Sequence, residues 1–337
     1  MDKCDAELPS ILRLCETQND RKYLVKGLQA NAFVRWKRGN FASAVEIFRE
    51  IEKLNGLDAA LAENLGHTYN ALGNLEEAEK YFGLALQLPV INGPGKSPSV
   101  GAAVTEMSGG SLLGLGIVHE RRGNYAMALE FTRRAIQAFR LQSGSTQSSL
   151  VAKAQVSLAK MLLATGAASE ALVEVKKAAV AFNVTCGPTS PLVANALRVQ
   201  SCVLRQLGSL LPAYEALIQA YVVEASKDAF DLSTLTEMHF ELLAVLGEMV
   251  ERGHAVDTKT WQSPVDLAKN RVDKMIPQDG NCGVYYKLAA EVALMNGEKK
   301  KAKLLLERAV ALLDTETTVD CSGLVKECRM LLNIAEN

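Results

Sequence analysis

Apolar and small residues fall at helical spacing along this chain, in paired segments with a glycine between the members of each pair. The clearest pair runs from Leu65, Gly66 and Tyr69 through Gly73 to Leu75, Ala78, Phe82 and Ala85, and Pro89 closes it. Leu65 and Tyr69 lie four apart on one helical face, and Ala78, Phe82 and Ala85 share one face of the following segment. Gly73-Asn74 supplies the turn between them. The pattern predicts two antiparallel helices, with Gly66 set against Ala78 so that the backbones approach closely.

The turn glycine then serves as a ruler. Gly39-Asn40-Phe41 is preceded by Leu28 and Ala32 and followed by Ala44, Phe48 and Ile51. Gly123-Asn124-Tyr125 follows Leu112, Leu115 and Gly116, and further turns fall at Gly166, Gly208, Gly253 and Gly297. The steps between successive turn glycines are 34, 50, 43, 42, 45 and 44 residues. Self-similarity at such a period marks a helical repeat array. The unit at Gly253 is the weakest, with its second helix expected near 264–276.

The residues of the Gly73 unit resemble the tetratricopeptide repeat (TPR), and the 34-residue step matches its standard period. The longer steps, with Gly187-Pro188-Thr189-Ser190-Pro191-Leu192-Val193-Ala194 between two units, resemble the long repeats of kinesin light chains. The resemblance to TPR proteins covers about residues 25–312. It implies an all-α, right-handed α-solenoid of about seven helix pairs. The organisation expected is a leading helix at 1–24, repeats 1 and 2 at 25–88 and a Gly/Pro/Ser-rich loop at 89–104. Repeats 3–7 then occupy 105–312, and a capping helix lies at 313–337. A non-catalytic scaffold or adaptor holding partner segments in a concave groove is the implied function, and the kinesin-light-chain likeness points toward a cytoskeletal or ciliary setting. A structural subunit of a large assembly and a regulator of an enzyme or chaperone system are the alternatives.

Composition narrows the partners. Of 337 residues, 48% are hydrophobic and 22% charged, enough for a large core. Lys plus Arg total 37 and Asp plus Glu 38, a net charge of −1, which argues against coating nucleic acid or an anionic membrane. Aromatics are only 6%, which favours helix over sheet. The seven cysteines lack Cys-x-x-Cys spacing, so they suggest neither a zinc site nor a disulfide framework. The acidic start lacks a signal-like apolar run, and no stretch is long and apolar enough to span a bilayer. A cytoplasmic protein is expected, without membrane insertion, and the Asn183-Val184-Thr185 sequon is expected to stay unmodified.

Site chemistry is sparse. Gly93-Pro94-Gly95-Lys96-Ser97 mimics the end of a phosphate-binding loop, but Val90 stands where the first glycine is needed and Pro98 follows. The four histidines are scattered, and His119 holds in its repeat the place that Tyr69 holds in the one before, so it is expected to pack. No catalytic constellation is present, and neither metal nor cofactor is expected.

A solenoid offers instead the face of its first helices. Counting back from each turn glycine, repeat 4 presents Lys153, Val156, Ser157, Lys160 and Leu163, and repeat 5 presents Asn195, Arg198, Val199, Cys202 and Arg205. Four cations and an amide on adjacent repeats favour an acidic or mixed acidic/apolar peptide segment. Phe33 and Trp36 are expected to pack against the leading helix. The carboxylate clamp of TPR co-chaperones needs a Lys and an Asn one turn apart, where this chain has Gln29 and Phe33; only Asn64 in repeat 2 fits.

Overall fold

The computed structural model describes residues 21–88, 109–225, 232–253, 299–315 and 322–336, with helical positions at 286, 287 and 290. Among the described residues there is helix and no strand. The helices are α1 (Arg21–Lys37), α2 (Phe41–Asn55), α3 (Ala59–Ala71), α4 (Leu75–Gln87), α5 (Gly109–Arg121), α6 (Tyr125–Ser143) and α7 (Ser149–Ala164). They continue as α8 (Ala168–Cys186), α9 (Pro191–Gln206), α10 (Leu210–Ala225), α11 (Leu232–Glu251), α12 (Lys299–Thr315) and α13 (Ser322–Glu336). The fold is an all-α helical repeat. The leading helix, the loop at 89–104, the phosphate-loop mimic within it, the helix expected at 264–276 and the turn at Gly297 lie outside the described residues or nearly so. The closing helix is present as α13.

The chain forms two compact units, Met1–Ala181 and Phe182–Asn337. In unit 1 each helix packs on its successor across a turn glycine, α1 on α2, α3 on α4 and α5 on α6. In unit 2, α9 packs on α10, α10 on α11 and α12 on α13.

The turns explain why Gly-Asn recurs. Gly39 sits at φ 76°, Gly73 at 81° and Gly123 at 75°, in the left-handed region where an L side chain is strained. The Gly39 N–H donates to the Trp36 carbonyl and the Asn40 N–H to that of Arg35, both at 3.0 Å. This pair of bonds closes the end of a helix as a Schellman motif. The same pair recurs after Gly73, Gly123, Gly166 and Gly208. The next residue then opens the following helix. The Asn40, Asn74 and Asn124 side chains accept from the N–H of Ser43, Glu77 and Met127 at 3.3, 3.2 and 3.5 Å. Two adjacent residues thus stop one helix and start the next.

The longer period has a simple origin. α6 has 19 residues where α2 has 15, and α7 has 16 where α3 has 13. The extra residues lengthen both helices, and the rest lengthen the linker before α7.

In the unit 1 core, small positions make holes for rings. Phe82 of α4 is fully buried. A Cβ added to Gly66 of α3 would lie 2.7 Å from its Cδ1, and one added to Gly114 of α5 would lie 2.3 Å from its Cζ. The ring fills a space left by two glycines on two different helices. The Phe82 ring is thus the nearest group to Gly66, and Ala78, which the spacing set against it, is fully buried in the same cluster as that ring. Trp36 packs edge-on against Phe41 of its own repeat at 5.9 Å, whereas Phe33 is 58% exposed. Most of the leading helix against which Phe33 and Trp36 are expected to pack lies outside the described residues.

Candidate interaction wall

Consecutive first helices touch: α3 contacts α5, and α5 contacts α7. Together they make one wall within unit 1, and the residues at its open positions change character along it. On α3 these are Glu63, Asn64, His67 and Asn70; on α5, Leu113, Ile117 and Glu120; on α7, Lys153, Ser157 and Lys160. Asn64, Lys153 and Lys160 are exposed, and Leu113 and Ile117 are half-buried.

The wall is cross-linked by polar contacts. The Ser111 hydroxyl donates to Glu63 Oε2 at 2.8 Å, and Arg121 Nη1 donates to Asn70 Oδ1 at 2.9 Å. His67 Nε2 lies 4.0 Å from Glu63 Oε1, and its ring meets Phe82 edge-on at 4.9 Å. Burial holds the His67 imidazole below its ordinary range, opposed by the Glu63 charge. Burial likewise raises the Glu120 carboxyl, and Lys160 pulls it back. Among the described residues neither Lys153 nor Lys160 forms a salt bridge, although Lys160 acts on the Glu120 carboxyl.

The two arginines of repeat 5 behave differently. On α9, Arg198 Nε donates to both Glu241 oxygens at 2.9 Å and its Nη2 to Glu237 Oε2 at 2.9 Å. Arg205 Nε donates to Glu248 Oε1 at 2.7 Å. These hydrogen bonds raise the pKa of both guanidiniums and hold the Glu248 carboxyl below its usual range. Each arginine reaches a carboxylate 43 residues on in α11, so the ladder ties one first helix to the next within unit 2. Asn195 and Cys202 on the same helix are exposed. The structure thus leaves Lys153 and Lys160 on α7 without a salt bridge among the described residues and commits Arg198 and Arg205 to α11.

Equivalent positions carry equivalent contacts. Tyr69 stacks on Tyr81 at 5.6 Å, and His119 stacks on Phe131 at 5.4 Å, each residue 50 positions after its counterpart. His119 is buried, and its Nε2 lies 3.6 Å from Glu79 Oε1. It is a packing residue of its repeat.

The family model for the tetratricopeptide repeat matches residues 59–89, the helix pair α3–α4. That helix pair is a tetratricopeptide repeat. Solved structures share the TPR fold at low identity. The yeast Tom70 structure is 14% identical, with a TM-score of 0.58, covering 99% of this chain and 60% of that one. The Cut9 and Hcn1 hetero-tetramer of APC/C gives 14% identity, a TM-score of 0.50, and coverage of 98% and 52%. A putative kinesin light chain repeat protein from Podosopora anserina gives 17% identity and a TM-score of 0.47, covering 62% of this chain and 96% of that one. These likenesses show the fold alone. No curated protein sequence matches the chain.

TPR repeats are in general protein-interaction scaffolds, and the first helices α3, α5 and α7 leave a row of exposed and half-buried positions along one wall. The co-chaperone clamp is not assembled on it. Gln29 and Phe33 are exposed on α1, and Asn64 on α3 is flanked by the Glu63 carboxylate where a clamp would need a cation. Among the described residues no helix is long and apolar enough to cross a membrane, and no group of three His, Cys, Asp or Glu side chains could hold a metal ion.

Proposed function

We propose that this TPR protein is a non-catalytic scaffold whose α3–α5–α7 wall holds an extended, mixed acidic and apolar segment of a partner protein. The observation that carries the reading is the gradient along the wall. Lys153 and Lys160 offer positive charge on α7, Leu113 and Ile117 offer an apolar step on α5, and Asn64 offers an amide on α3. A segment with an acidic end over α7 and an apolar anchor over α5 matches it, and Glu63 disfavours the reverse orientation. In unit 2, Asn195 on α9 presents an amide, while Arg198 and Arg205 contribute shape and hydrogen bonding more than free charge. The period of 42–45 residues and the linker at 187–194 favour a cytoplasmic adaptor of the cytoskeleton or cilium.

Reversing Lys153 and Lys160 to Glu tests this directly. Affinity capture from native extract, quantified by mass spectrometry, should show partner recovery falling by about tenfold or more, as expected for a loss near 1.4 kcal/mol. Helicity should not change, because both side chains are exposed and unpaired. Higher salt should weaken the wild-type complex in the same direction. Retention of every partner by the double reversal would remove the wall from consideration.

A further inference from the structure

The longer repeats create a cleft that the wall does not use. α6 continues past the length of α2, and the Gly144 turn with its linker carries the chain across to α7. The last turn of α6, the linker at 146–147, the second turn of α7 and the later half of α8 enclose an open cleft of about 530 Å³ within unit 1. Its lining includes Arg140, Gln155, Lys176, Lys177, Val180 and Ala181. This volume lies in the usual range for ligand sites.

Gln155 is the anomaly. It is 2% exposed, on the face of α7 that packs inward. Its Nε2 donates to Glu174 Oε2 at 3.0 Å, and Lys177 Nζ donates to Glu174 Oε1 at 2.7 Å. Reversing the amide would set Oε1 against a carboxylate, so the orientation is determined. Gln155 Oε1 then has no hydrogen-bond partner. A buried acceptor without a donor is rare enough to need a reason. The charges around it are also unbalanced. Glu174 engages Lys177, while Arg140 and Lys176 have no carboxylate partner among the described residues. Beside them Val180 is 58% exposed, and Val173, two turns earlier on the same face of α8, is 50% exposed.

We propose that this cleft is a second binding site, which takes an acidic side chain presented by a partner protein segment. Arg140 and Lys176 hold the carboxylate, and the backbone N–H of the same residue donates to Gln155 Oε1. The exposed valines of α8 take an apolar neighbour in the segment. A carboxylate fits better than a phosphate, because Glu174, bonded to both Gln155 and Lys177, already places one negative charge beside the cleft and opposes a doubly charged anion more strongly than a singly charged one. A small carboxylic acid without an N–H satisfies the cations but leaves Gln155 Oε1 unpaired. The site is independent of Lys153 and Lys160, which lie at exposed positions of α7 while Gln155 is buried.

The test uses the full chain with labelled valine and alanine methyl groups, followed by NMR. The probe is N-acetyl-glutamate N-methylamide, which carries both the carboxylate and the N–H. Val180 and Ala181 methyl signals should shift and saturate in the millimolar range, about 4 kcal/mol of binding. Three comparisons should each bind at least about tenfold more weakly: the glutamine analogue, the ester analogue in which oxygen replaces the acetylated N–H, and inorganic phosphate. Arg140→Gln with Lys176→Gln should weaken the glutamate probe by a similar factor; both residues are exposed, so the fold is kept. Lys153→Glu with Lys160→Glu should leave the response intact, which separates this site from the wall. The proposal is overturned if the methyl signals show no saturable shift, if the charge variant binds as wild type, or if either analogue binds as well as the glutamate probe. Equal or tighter phosphate binding would make the cleft a simple anion site and would also overturn it.

Discussion

Phe82→Ala should destabilise unit 1 by about 3–5 kcal/mol, the range for emptying a fully buried ring. The ring stands between glycines of α3 and α5, so its loss opens both the pairing within one repeat and the contact with the next. Gly114→Ala should be costly for the opposite reason. Its new Cβ would lie 2.3 Å from the Phe82 ring, an overpacking worth about 1–3 kcal/mol. The two changes should not add. With the ring gone the extra methyl fills part of the hole, and alanine is the better helix former by about 0.5–1 kcal/mol. Gly114→Ala in the Phe82→Ala background should therefore be neutral or stabilising. Urea unfolding by circular dichroism measures the cycle, and amide exchange across α3–α5 assigns the loss to unit 1. Strict additivity would mean that ring and glycine do not meet.

The second large effect belongs to unit 2. Arg198 is only 28% exposed and Glu241 29%, and the pair is joined by charged hydrogen bonds. Arg198→Glu would set three carboxylates together on neighbouring helices. A loss of about 2 kcal/mol is expected, within the range for a charged hydrogen bond in a half-buried setting. Adding Glu241→Arg should recover at least half of it, because the swap restores one ion pair. Lys160→Glu, exposed and unpaired, should cost less than about 0.5 kcal/mol. Urea unfolding of the three variants distinguishes the cases. If Arg198→Glu is as mild as Lys160→Glu, the ladder between α9 and α11 contributes nothing.

That contrast shows what was legible in the chain. The helix pairs were readable because the turn glycines need positive φ and the Asn after each caps the next helix, both local requirements. The placement of His119 was readable because it sits one repeat after Tyr69 and meets an aromatic ring at the matching distance. Two features were hidden. Spacing puts Gly66 on the inner face but does not say which side chain fills the space it leaves. Likewise, Lys153, Lys160, Arg198 and Arg205 look alike as four cations on adjacent first helices, yet only the arginines have carboxylates one repeat downstream. A signal was available in the sequence: Glu241 and Glu248 are seven apart, as Arg198 and Arg205 are, at an offset of 43. The residues one period after the two lysines are Asn195 and Cys202, neither of them a carboxylate. Gln155 gave a fainter sign, as the one polar side chain in an otherwise apolar face of α7.

The most direct test of the interaction wall is site-specific photocrosslinking. A benzophenone side chain placed at Ile117, on the α5 part of the wall, should form adducts with partner proteins in native extract. The same group at Glu76, an exposed position on the second helix of its repeat, should not. Lys153→Glu with Lys160→Glu should abolish the Ile117 adducts. Adducts at Glu76 with none at Ile117 would contradict the account, since partners would then be docking on the second helices and not on the α3–α5–α7 wall.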